Sequence, residues 1–120
     1  MKDYRNLIVW QKAHQLTLSI YELSKKFPAE EKYGLVSQIR RASYSIPTNM
    51  AEGSGHHSND QFVRYLHIAA GSANETEYLL LLSKDLNFIR QENYEIAFQL
   101  ITEIKKMLVS LIAKSKPNNS

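Results

Sequence analysis

Along this chain apolar residues return at steps of four and three through four separate stretches. The first reads Val9, Ala13, Leu16, Ile20, Leu23, Phe27, and the second reads Leu35, Ile39, Ala42, Ile46, Asn49, Gly53. The third reads Phe62, Leu66, Ala69, Ala73, Thr76, Leu80, and the fourth Ala97, Ile101, Ile104, Leu108, Leu111. Such spacing places one stripe on one face of an α-helix, and strand-like alternation is nowhere sustained. It predicts helices over about 7–27, 33–53, 59–86 and 91–114. Stripe against stripe they share one core. The expected fold is all-α, an up-down-up-down antiparallel four-helix bundle over residues 1–114, with 115–120 a frayed tail.

The breaks fit that division. Pro28 drives Phe27 away from helical angles and closes the first helix. Gly53-Ser54-Gly55 closes the second, with Gly53 expected in a left-handed cap. Ser58 and Gln61 have capping-box spacing ahead of the third, and Asn87 to Asn93 supply a polar turn before the fourth. One residue violates the scheme from inside. Pro47 lies on a stretch whose stripe continues past it, so the second helix is expected to run through and kink, leaving the Ser43 carbonyl without its usual amide. Asn49 falls on the core stripe, and its amide is expected to bond freed backbone or a neighbouring helix near the kink.

Two helices carry more apolar surface than one bundle needs. On the third, Ile68, Gly71, Tyr78 and Leu82 lie opposite the core stripe; on the first, Trp10, His14, Leu18 and Tyr21 flank it. A helix apolar on two sides usually buries both. The expectation is a homo-oligomer, with Trp10, Tyr21, Ile68, Tyr78 and Leu82 at the interface and Gly71 admitting another helix closely. An irregular bundle with wide seams is the alternative.

Composition narrows the chemistry. A chain of 120 residues has room for one core, and the absence of cysteine removes disulfides, thiolate metal sites and thiol nucleophiles. The opening MKDYRNLIVWQ lacks a secretory pattern, and the longest apolar run, Tyr78 to Leu82, falls far short of the ~20 residues of a membrane span. A cytoplasmic chain with no membrane partner is expected. Four histidines raise the question of a metal, but no glutamate has a histidine three positions later, and His56-His57 sits in a polar loop. Ser43, Ser45 and Ser54 lack an elbow motif, and Gly53 and Gly55 are followed by no Gly-Lys-Ser. No catalytic residue, cofactor or metal is expected.

What remains is a basic face. The formal charge of +3 and pI near 9.1 permit a polyanionic partner without requiring one. A helical projection sets Arg40, Arg41, Tyr44 and Thr48 opposite the second core stripe, with Arg64 and His67 on the corresponding side of the third helix. Arginines beside an aromatic ring can pair with phosphates and stack on bases, so Arg40, Arg41, Tyr44, Arg64 and His67 form the candidate nucleic-acid surface. Arginine and tyrosine equally favour protein interfaces, so a subunit contact is the competing assignment.

Several strings here resemble one bacterial family. They are Leu7 to Ala13 (LIVWQKA), Phe27 to Leu35 (FPAEEKYGL), Gln38 to Ser43 (QIRRAS), Ser45 to Gly53 (SIPTNMAEG), and Phe62 to Ala69 (FVRYLHIA) followed by Gly71 to Glu75 (GSANE). The resemblance is to the four-helix bundle proteins encoded in intervening sequences of 23S ribosomal RNA genes, also called S23 ribosomal proteins, and runs from about Tyr4 to Ile112. It implies a four-helix bundle associating as a homopentamer. A similar protein, the accessory variability determinant of diversity-generating retroelements, implies in addition RNA or DNA binding and a polymerase-like protein partner. Met50 stands where isoleucine is commoner in the family, and Tyr44 where a small or branched residue is.

Overall fold

The structure, a computed structural model, describes residues 3–116. Four α-helices follow in order: α1 Ile8–Ser24, α2 Leu35–Ser54, α3 Asn59–Asp85 and α4 Gln91–Ser115. Short 3-10 turns at Tyr4–Asn6 and Ala29–Glu31 precede α1 and α2. Consecutive helices pack side by side and α1 closes the ring against α4, with α2 against α3 the most extensive contact. The molecule is a rod of 49 × 23 × 22 Å. Among the described residues there is no strand. Of the expected tail, Ser115 completes α4 and residues 117–120 lie outside the described part.

The four stripes meet as read from the sequence, with local exceptions. Leu16, Ile46, Leu66 and Ile104 are fully excluded from water. Leu23 and Leu111 are only half-buried, and Ile112 takes the last core position of α4. On α2, Met50 is wholly buried while Asn49 is half-exposed. The Asn49 amide donates to the Ser45 carbonyl at 2.8 Å, one turn back in its own helix. It therefore bonds backbone beside Pro47, although not the carbonyl that the proline frees.

That carbonyl is taken by another helix. Thr17 Oγ1 of α1 lies 3.1 Å from Ser43 O and 2.9 Å from Ala13 O, so one hydroxyl proton is shared between two acceptors. One turn further along, Trp10 Nε1 donates to the Pro47 carbonyl at 3.1 Å. The helix breaker is thus held from α1 at two points, and α2 continues through it.

Helix ends differ from the sequence expectation in instructive ways. Helix α1 stops three residues before Phe27, because Lys25, Lys26 and Phe27 each bond a carbonyl three residues back and tighten the last turn. Glu31 Oε1 accepts from the Leu35 amide at 3.1 Å and caps α2, a role its loop position did not announce. Ser58 Oγ accepts from Gln61 N at 3.1 Å, the serine half of the capping box. Gly53 is not a left-handed cap; it lies within α2, and no glycine has positive φ. A Cβ there would stand 2.7 Å from Tyr65 Cβ and 3.4 Å from Phe62 Cδ1, so the missing side chain of Gly53 lets α2 and α3 approach closely. The left-handed residue is Asn87 (φ 65°), whose amide bonds Lys84 O while Phe88 N bonds Ser83 O, a Schellman closure of α3.

Candidate interaction surfaces

The arginines of α2 part in opposite directions. Arg40 leans on α1: Nε donates to Ser24 Oγ at 2.8 Å, Nη2 to the Tyr21 carbonyl at 3.3 Å, and the guanidinium lies 4.5 Å from the Tyr21 ring centre. A cation in that setting bonds a hydroxyl and a carbonyl of a helix's last turn and covers an aromatic face at once. Arg41 turns toward α3, where Nη2 meets Glu75 Oε2 at 2.7 Å. That pair is half-exposed and contributes at most ~1 kcal/mol.

Arg64 and His67 are exposed near the start of α3. Arg64 lies 5.7 Å from the Tyr65 ring centre, and Tyr65 in turn stacks with His56 at 5.3 Å. Since Glu75 fixes the height of Arg41 and Arg64 stands eleven residues earlier in α3, the two arginines are ~16 Å apart along the axis. The sequence grouped Arg40, Arg41, Tyr44, Arg64 and His67 on one face. The structure distributes them: Arg40 and Tyr44 beside α1, Arg41 on the α3 side, Arg64 and His67 toward one end.

Between α1 and α2 runs an open groove of about 620 Å³. Trp10, His14, Leu18 and Tyr21 form one wall, while Tyr44 and Thr48 belong to the other. Trp10 and His14 stack nearly parallel, 5.1 Å apart, and Tyr4 packs on Trp10 at 5.0 Å from the preceding turn. Glu52 stands at the Tyr4 end and carries no ion pair among the described residues. The extra apolar patch of α1 is therefore a groove wall. Trp10 is half-buried within its own chain, while Leu18 remains 57% exposed.

The extra stripe of α3 faces outward. Ile68 is 41% and Tyr78 57% exposed, and a Cβ on Gly71 would meet nothing within 4 Å. Leu82 is only half-buried and packs on the bundle's own core, so it belongs less to the outer stripe than its spacing implied. Elsewhere, no group of three or more His, Asp or Glu side chains could hold a metal among the described residues. No helix there is long and apolar enough to cross a membrane.

The sequence reading missed Glu52 and Tyr4 in the groove, and the cross-helix pairs Lys12–Glu103 and Lys105–Glu77 at 3.0 and 3.1 Å. Exposed charges follow no period, so only the fold brings such partners together.

Comparison with known proteins places the chain in a family. Residues 5–110 match the model of the 23S rRNA-intervening sequence protein family. A crystal structure of a protein of unknown function from the S23 ribosomal protein family of Bacteroides thetaiotaomicron is 32% identical and superposes with a TM-score of 0.78. It covers 88% of this chain and 98% of its own. Among curated proteins, none matches.

Proposed function

The chain belongs to the family of 23S rRNA-intervening sequence proteins, and from that premise we propose that it is a non-enzymatic, cytoplasmic assembly module, a four-helix bundle that acts as a homo-oligomer. The observation that carries this reading is apolar surface beyond the core on two sides, the aromatic groove between α1 and α2 and the outer stripe of α3. A lone bundle gains nothing by exposing either, whereas a second copy can cover both. Sedimentation equilibrium tests it. The expected mass is a multiple of the 13.8 kDa chain, and the family resemblance favours five copies. A monomer up to ~100 μM, a concentration at which a contact of micromolar Kd would be almost fully formed, rejects the reading.

A second reading, RNA or DNA binding by the assembled protein, has its own support in the formal charge of +3 and the exposed Arg64 and His67. Arg41 and Arg64 are the residues to reverse, because reversing Arg40 breaks its bonds to α1 and confounds binding with stability. Phosphate contacts give a steep fall of affinity with salt, and Arg41→Glu with Arg64→Glu should flatten that slope by about two. Wild-type affinity for structured RNA and for DNA that ignores salt removes this reading. A polymerase-like partner would then engage the protein through its apolar surfaces alone.

A further inference from the structure

Two faces of one protomer have matching charge at matching heights. On α2 the groove is lined from Tyr44 to Glu52, and Arg40 stands one turn beyond it over the Tyr21 ring, so Arg40 and Glu52 are twelve residues or ~18 Å apart. The outer face of α3 offers Arg64, Ile68, Gly71 and Glu75 in sequence, with Arg64 to Glu75 spanning eleven residues or ~16 Å. One face is basic at one end and acidic at the other. The second has the reverse order along an antiparallel helix.

The heights are fixed within the protomer itself. Gly53 packs against Phe62 and Tyr65, so Glu52 and Arg64 lie at about one level of the rod. Arg41 bonds Glu75, so Arg40 and Glu75 share a second level. A copy of the chain rotated about an axis parallel to the rod, with no shift along it, therefore carries its α3 past the groove in register. Arg64 arrives beside Glu52 and Glu75 beside Arg40.

Between these two contacts the shapes agree. Ile68 lies on the stretch of α3 level with the Trp10 and His14 part of the groove. Gly71, which has no side chain to obstruct, comes level with the projecting Tyr44. Arg40 commits only Nε and Nη2 to α1, and the guanidinium has further N–H groups for a second acceptor. Glu75 can keep Arg41 of its own chain while accepting from a neighbour.

The geometry points to a head-to-tail contact in which the α3 ridge of one copy fills the α1–α2 groove of the next. This inference rests on the assembly reading above and names its interface. The two patches lie on different sides of the bundle, so the contact is heterologous. With no rise along the axis it closes into a ring rather than extending as a filament.

Charge reversal tests the pairing. Glu52→Arg and Arg64→Glu are each expected to weaken association at least about tenfold, and the double variant to return to within about threefold of wild type. Gly71→Trp, placed where the protomer has open space, should leave the helical circular dichroism intact and abolish assembly. If the wild type is a monomer, the assembly reading itself fails. If the wild type assembles and its mass is indifferent to both single reversals and to Gly71→Trp, the ridge-in-groove contact alone is overturned. Loss in both single variants without recovery in the double also rejects the Glu52–Arg64 pairing.

Discussion

Gly53 shows how a single missing side chain can set the distance between two helices. Its neighbour across the interface is the Cβ of Tyr65, which cannot turn aside as a flexible chain end could. Gly53→Ala must therefore push α2 and α3 apart, at a cost of about 1–3 kcal/mol that thermal unfolding would report as a lower midpoint. The sequence marked this glycine as special but suggested the wrong reason, because a glycine at a helix end and one at a close crossing look alike in one dimension. Asp3 offers a second local test. Its carboxylate accepts from the Arg5 side chain and then from the Arg5 amide, which hold its pKa below the usual value of 3.8. A lowered native pKa means the contribution is present above the ordinary value and lost as pH falls through the depressed one. The turn that seats Tyr4 on Trp10 should loosen below about pH 3.8, the ordinary value. Because Trp10 is the sole tryptophan, its emission should change in that acid range, and Asp3→Asn should remove the transition.

At the scale of elements, the helices and their stripes were legible because burial repeats with the helical period. Leu35, Ile39, Ala42 and Ile46 announced α2 in spite of Pro47, and all four are buried. What made the proline tolerable was not legible, since it comes from a threonine thirty residues away in sequence. Thr17 and Pro47 should therefore be energetically coupled. Thr17→Val keeps the shape but leaves the Ser43 carbonyl without a partner, costing about 1–3 kcal/mol. Pro47→Ala restores an amide one turn away that can serve the same carbonyl. In that background Thr17→Val should cost distinctly less, and equal costs in both backgrounds, measured by denaturant unfolding, would rule the coupling out. The scattered arginines are the matching failure of legibility. A helical wheel shows which side of a helix Arg40 occupies, but Ser24, Tyr21 and Glu75 decide whether α2's arginines remain free.

At the scale of the whole molecule, stability and association become one measurement. If copies bind only in the folded state, the unfolding midpoint must rise with protein concentration. A midpoint unchanged between about 1 and 100 μM would mean that folding and assembly are independent, contrary to the groove-and-ridge arrangement. The ring of helices has another consequence, for the order of the gene rather than the energy of the product. Lys12 of α1 meets Glu103 of α4, and both described chain ends emerge at the same end of the rod. Helix α4 overshoots the start of α1 by about eight residues, or ~12 Å, a gap that a flexible linker of about six residues can bridge. The packing of the four helices then does not dictate which of them comes first in the chain. A permuted gene that starts at His57, ends at His56 and links α4 to α1 should encode the same bundle, with Ser58 still capping α3 and the Gly53 crossing now formed between the two new termini.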